Sequence, residues 1–250
     1  MSASTRRVVL LGGTSEIGLA IVRRLAADGP LSAALVGRDQ AALERCAAEL
    51  QASGQVQATP ILADLDAAAG HDAALRLAGE ALGGIEIVVL AVGLLGGQEG
   101  LDADPEQAAE VMRVNFVLAG SLLQAALRDL CARSAGTLIV LCSVAGVRVR
   151  ASNPFYGAAK AGLDGLAAGL GDAARAHGVH TLTVRPGFVV GRMTAGLARA
   201  PLSTTPAAVA EATVRGLARG RDTVWVPAPL QIVFTLLRAL PRPIWRRLPL

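Results

Sequence analysis

Six short apolar runs, each followed by a helical pattern, leave this chain little choice of fold. Val8–Leu11, Ala33–Val36, Val56–Leu62, Ile85–Ala91, Thr137–Cys142 and His180–Val184 read as buried strands. Helical patterns at Ile17–Ala27, Gln40–Ala52, Ala67–Leu82, Pro105–Cys131 and Tyr156–Ala176 separate them. Asp104-Pro105-Glu106 supplies an N-cap followed by proline in the first turn. Thr205-Pro206 opens a further helix to Arg219, and Thr223–Val226 reads as a last strand. Strands that are apolar throughout and alternate with helices form a parallel sheet covered on both faces. Aromatic residues are only 3% of the chain while hydrophobic residues are 52%, so Ala, Val and Leu must build that core.

The first strand runs into Gly12-Gly13-Thr14-Ser15-Glu16-Ile17-Gly18. Glycines between a strand and a helix allow a tight turn whose N–H groups approach a pyrophosphate at the helix N-terminus. Glu16 stands where a further glycine is expected, and an acid beside a diphosphate is unfavourable unless it points away. The predicted fold is therefore α/β: one doubly wound Rossmann-type domain with a mostly parallel sheet over residues 1–227. A C-terminal amphipathic basic tail, 228–250, follows it. Gly37-Arg38 ends the second strand where an NAD-selective site would carry an acid. Arg38 is placed to meet a 2′-phosphate, which favours NADP(H). Asp64-Leu65 can accept a hydrogen bond from an adenine amine, and Ala91-Val92-Gly93 brings bare backbone to the cofactor.

Tyr156 and Lys160 lie four residues apart, with Ser143 thirteen residues upstream of the tyrosine. On a helix that spacing puts both side chains on one face. An ammonium beside a phenol favours the phenolate, which predicts a tyrosine pKa below the usual value of about 10. The serine hydroxyl can hold the same oxygen that the tyrosine protonates.

With these parts in order, the chain resembles a short-chain dehydrogenase/reductase over essentially its whole length. The glycine turn, Asp64, Ala91–Gly93, Asn115, Ser143, Tyr156, Lys160 and Arg185-Pro186-Gly187 carry the resemblance. It implies a nicotinamide cofactor, NAD(P)H. Gly12, Thr14, Ser15, Ile17 and Gly18 would hold the diphosphate end, and Arg38, Asp64 and Leu65 the adenosine. Gly93, Tyr156, Lys160, Pro186, Gly187 and Val189 would hold the nicotinamide half. It also implies Tyr156 as general acid, with Lys160 lowering its pKa and binding the nicotinamide ribose. Ser143 would orient the carbonyl, and Asn115 would support a proton-relay water. Where a threonine usually follows Pro186-Gly187 by four residues stands Gly191, with Thr194 further on.

Glu16, the run Ser143–Arg150, Arg192-Met193 and the ending Pro241–Leu250 resemble one branch of that family, the reductases of polyprenyl-phosphate-linked 2-keto-pentofuranoses. That resemblance implies a lipid-linked sugar-phosphate ketone, a flavin-dependent oxidase as partner and NADH as reductant, against the reading of Arg38. It also implies a homodimer through the two long central helices. Arg148, Arg150, Arg192 and Arg199 are the candidate phosphate ligands. A reductase for another ketone, such as a 3-oxoacyl thioester or steroid, and a non-catalytic cofactor-binding regulator are the rival readings.

Net charge is +4, and Arg238, Arg242, Arg246 and Arg247 beyond the last acid, Asp222, account for all of it. A neutral body argues against nucleic-acid binding. In Leu230–Leu240, Gln231, Thr235 and Arg238 make one polar stripe on an apolar helix. That helix suits either an anionic membrane surface or the covering of a cleft or dimer interface. No signal segment is read and no run approaches the roughly 18 apolar residues of a spanning helix. A peripheral place on the cytoplasmic side is expected, with carriage across the membrane by a partner left open. Cys46, Cys131 and Cys142 suggest no disulfide framework, and no metal site is expected.

Overall fold

The computed structural model describes residues 5–247, so Leu248-Pro249-Leu250 of the tail motif lies outside the described residues. Seven parallel strands form one sheet: β1 (Arg6–Leu11), β2 (Leu31–Gly37), β3 (Val56–Leu62), β4 (Ile87–Leu90), β5 (Gly136–Leu141), β6 (Val179–Pro186) and β7 (Thr223–Val226). Their order is β3-β2-β1-β4-β5-β6-β7, so the winding reverses between β1 and β4. Such a reversal opens a crevice at the carboxyl ends of the strands. In register, Leu11 pairs with both Val36 and Leu90. That brings the glycine turn, Gly37 and Ala91 to one level at the crevice.

Val8, Val9, Leu10 and Leu11 are fully buried because helices cover both faces of β1. Leu10, Leu35, Val89 and Leu182 pack with α1 (Glu16–Ala26) and α7 (Pro206–Ala218) on one side. Leu11, Val36, Leu90 and Val140 pack with α3 (His71–Leu82), α5 (Ala119–Ala132) and α6 (Pro154–Arg175) on the other. The helix α2 (Gln40–Gln51) lies beside β3, with Leu43 and Leu50 turned inward.

Two predicted elements differ. The pattern over Pro105–Cys131 is not one regular helix: α4 (Pro105–Met112) passes through a π-helical turn, Arg113–Leu118, into α5. Its length and apolarity would suffice to cross a membrane, but Leu118, Ala119, Leu122, Leu123 and Leu130 pack it into the core. Ala67–Leu82 likewise begins with a short 3-10 turn, Ala68–Gly70, and becomes regular only at His71.

The tail forms α8 (Leu230–Ala239) and a short α9 (Arg242–Trp245). Its apolar residues divide between two faces. Leu230, Phe234 and Leu237 pack on Val144, Val147 and Trp225, next to Ser143. Ile232 and Leu236 stand outward, 68% and 65% exposed. The helix therefore covers protein and also presents an apolar surface.

Leu122 has no exposed surface, so Leu122→Ala is expected to lower unfolding free energy by about 2–5 kcal/mol. In parallel urea titrations, Leu236→Gln should stay within about 0.5 kcal/mol of wild type.

Candidate active site

The turn after β1 is shaped to receive phosphate. Gly12 has φ +88°, and a Cβ there would lie 3.0 Å from the Ala91 carbonyl group. Ser15 caps α1 by accepting the Gly18 N–H at 3.2 Å, so the helix enters the crevice with its positive end forward. A Cβ on Gly93 would lie 3.1 Å from Asn115 Oδ1 and 3.6 Å from Lys160 Nζ. Bare backbone there lets a flat ligand approach both side chains. The cradle thus fits a dinucleotide along the switch point.

At the ribose end, Arg38 is exposed and pairs with Asp66 Oδ2 at 3.3 Å, while Arg113 approaches Asp66 Oδ1 at 3.4 Å. Arg113 also donates to both carboxylate oxygens of Glu110, at 2.6 and 2.8 Å, so the two cations here are matched by two acids and Arg38 is the more exposed of the pair. Asp64 Oδ1 accepts the Asp66 N–H at 2.9 Å, which fixes the acid at the end of β3. Behind Leu65 lies His71, buried, with Nε2 2.7 Å from Leu65 O and Nδ1 3.1 Å from Ser121 Oγ. A carbonyl only accepts, so Nε2 carries the proton and Nδ1 accepts from the serine. Nothing in the sequence signals this buried pairing, because Ser121 is fifty residues away from the histidine.

The catalytic candidates meet where β5 ends and α6 begins. Ser143 Oγ accepts the Ala145 N–H at 3.1 Å, which leaves its own proton to give. Tyr156 sits in the first turns of α6, within hydrogen-bonding reach of the Ser143 side chain. Lys160 is buried and donates to Leu141 O at 3.0 Å, with Nζ 5.9 Å from the Tyr156 ring centre. Asn115, in the π turn, donates to Leu94 O at 2.6 Å and Val111 O at 2.8 Å, and accepts from Leu94 N–H at 3.3 Å. The widened turn lets this buried amide face inward and brace the loop that carries Gly93. No sequence signal distinguishes such a turn from a regular helix.

One electrostatic expectation is reversed. Burial pushes the Tyr156 phenol up to about 12, and hydrogen bonding to Ser143 offsets this only in part. Lys160 is itself driven down by burial. The ammonium is engaged with a carbonyl, so Lys160 does not lower the phenol in this state. Cys142, behind the site, is raised to about 12 by burial, which keeps it a thiol.

The four candidate phosphate arginines do not converge. Arg148 donates to Leu240 O at 3.1 Å and lies over the Trp245 ring at 4.8 Å, so it fastens the tail instead of facing a ligand. Arg192 bonds Thr14 O and Glu16 at the glycine turn. Arg199 is exposed on the segment before α7. Just ahead of Tyr156, Arg150 Nε and Asn153 Oδ1 are buried and have no hydrogen-bond partner among the described residues. Thr194 Oγ1 accepts from Gly191 N–H at 3.2 Å and donates to Val189 O at 2.7 Å, closing the loop after Gly187 on itself. Arg185 forms two bonds to Asp164, at 2.9 and 2.7 Å, and stacks on Trp225 at 4.9 Å. That pairing ties α6 to β6 behind the site.

Residues 6–201 match the family model described as short chain dehydrogenase, and the chain belongs to that family. It is an oxidoreductase. An uncharacterized oxidoreductase of Mycobacterium tuberculosis is 43% identical over 242 residues, covering 97% of this chain and 96% of that one. The structure of a 3-oxoacyl-[acyl-carrier protein] reductase from Brucella melitensis in complex with NAD is 27% identical, with TM-score 0.80, covering 92% of this chain and 99% of that chain. A short-chain dehydrogenase from Sphingobium yanoikuyae in complex with NADPH shares the fold, with 22% identity, TM-score 0.79 and 96% coverage of each chain.

Tyr156 is the only tyrosine of the chain, so phenolate absorbance reports it alone. In the cofactor-free protein its titration midpoint is expected at about 12. A midpoint at or below the ordinary value of about 10 would show the lysine already coupled to the phenol. A second expectation concerns Gly146, where a Cβ would lie 2.7 Å from Ala161 N and 2.8 Å from the Lys160 carbonyl carbon. Helix backbone cannot step aside, so Gly146→Ala should shift Ser143 against Tyr156 and lower kcat by about 100-fold.

Proposed function

We infer that this protein is an NAD(P)H-dependent ketoreductase acting on a keto sugar carried by a lipid phosphate. In its sharpest form the substrate is decaprenylphosphoryl-2-keto-β-D-erythro-pentofuranose, reduced at C2 to decaprenylphosphoryl-β-D-arabinofuranose for cell-wall arabinan. The observation that carries the substrate reading is Arg150, on the loop that leads into Tyr156, whose buried Nε has no hydrogen-bond partner among the described residues. An unpaired buried donor on a permanent cation calls for an acceptor, and a phosphodiester oxygen is a strong one. Asn153, with its unpaired buried Oδ1, asks for a donor such as a sugar hydroxyl.

When bound, the dinucleotide supplies the hydride. Tyr156 gives its proton to the ketone oxygen as that oxygen gains charge, and the raised phenol pKa keeps this proton in place throughout the neutral range. Ser143 donates to the same oxygen, its lone pair being taken by Ala145 N–H. Lys160 stands beside the ring to stabilise the tyrosinate left behind. The exposed guanidinium of Arg38, just past the end of β2, supports NADPH as reductant.

The outward face of α8, with Ile232 and Leu236, and exposed Ile244, Arg238, Arg242, Arg246 and Arg247 supports peripheral contact with an anionic membrane on its cytoplasmic side. Exposed Met112, Phe116 and Val117 on the long central helix support a homodimer. A flavin-dependent decaprenylphosphoryl-ribose oxidase would be the partner that supplies the ketone. A 3-oxoacyl thioester is the second substrate reading, favoured by the likeness to the Brucella reductase.

Oxidation of NADH and NADPH is compared on the lipid-linked keto sugar and on a 3-oxoacyl thioester. Tyr156→Phe should lower kcat at least about 100-fold on the true substrate. Arg150→Gln should raise KM for the lipid-phosphate sugar about tenfold, with kcat changed far less. Turnover of the thioester alone would reject the sugar.

A further inference from the structure

The chain departs from the pattern of its family at two positions, and the fold places them against each other. Glu16 replaces a glycine of the turn, and Gly191 replaces a threonine beyond Pro186-Gly187. A Cβ built on Gly191 would lie 2.6 Å from Glu16 Oε2. The backbone at Gly191 is extended, with φ −176°, which any residue adopts; a side chain there would meet the carboxylate end of Glu16, which could move clear only by leaving Arg192. Each departure therefore explains the other: the glutamate fills the space that a side chain at 191 would need.

The carboxylate then holds the segment down. Glu16 Oε2 accepts the Arg192 N–H at 2.6 Å, and Oε1 lies 3.5 Å from Arg192 Nε. The same guanidinium donates to Thr14 O at 2.6 Å. Val189 pairs with Thr204, and Thr194 closes its own turn, so the segment reaches Glu16 already shaped. A groove of about 870 Å³ opens alongside, lined in part by Glu16, Arg45, Cys46, Arg192 and Thr205. It leaves the guanidinium room to move.

A glutamate in the first turn of α1 would face a diphosphate bound there, and two anions at such range repel. Arg192 sits where it neutralises the acid, and its guanidinium is held at the Thr14 carbonyl of the same turn. We propose that Glu16, Gly191 and Arg192 form a clasp that closes residues 188–194 over the glycine turn and retains the dinucleotide, with Arg192 as cationic contact to its diphosphate. This rests on the reading that the turn binds a nicotinamide dinucleotide.

The full-length wild type and its variants are titrated with NADH and NADPH by cofactor fluorescence. Hydrogen exchange over 188–204 is measured without dinucleotide. Gly191→Thr is expected to raise Kd about tenfold or more and to speed exchange, because the new side chain and the carboxylate exclude each other. Adding Glu16→Gly should return Kd to within about threefold of wild type. Arg192→Ala should weaken binding about tenfold, and Glu16→Gln on top of it should recover part, since the unpaired carboxylate is gone. Wild-type affinity and exchange in Gly191→Thr would overturn the clasp. So would a double variant no better than Gly191→Thr alone. A wild type that binds neither dinucleotide would overturn the cofactor reading and the clasp with it.

Discussion

The site depends on a lysine side chain being tolerated in the interior. Lys160 is 3% exposed, and burying an ammonium is costly unless it is hydrogen-bonded. Leu141 ends β5, so its carbonyl has no further strand to serve and can accept from Nζ. Gly146 lets the turn after Ser143 press against the backbone of Lys160 and Ala161, and Gly93 lets the loop after β4 come close to Asn115. Asn115 braces the same loop from the opposite side. Removing any one of these loosens the position of the others.

Burial sets the chemistry as well as the geometry. Burial makes the phenol of Tyr156 hold its proton more tightly, which suits the proposed role of giving that proton to an oxygen gaining negative charge. The lysine in the same pocket holds its proton less tightly. Drying the pocket brings the two groups nearer in proton affinity without any direct bond between them. Their axial neighbours confirm how compact the arrangement is: Cys142 is too deeply buried to ionise and so adds no competing charge.

What was legible in the sequence was local. The Tyr156–Lys160 spacing, the glycine turn and the strand ends all lie within one or two elements, and periodicity places them. The arginines were illegible because their partners are remote: Arg148 reaches Leu240, and Arg192 reaches Glu16, 176 residues away. Composition marks such side chains as cations but says nothing of which carbonyl or carboxylate they meet. The π turn at Asn115 was hidden because an apolar helix reads the same with or without one widened turn. The pKa direction was misjudged because spacing shows a neighbouring charge and cannot show desolvation.

The ten residues of α8 have two apolar sides, and they look onto different worlds. Phe234 and Leu230 are wedged against Val144, the residue after Ser143, while Ile232 and Leu236 face outward. Trp225 joins the same packing and carries Arg185, whose carboxylate partner Asp164 lies one turn beyond Lys160 on α6. Whatever covers the outer side of α8 therefore rests on packing that reaches the residue beside Ser143 in one direction and the helix of Lys160 in the other.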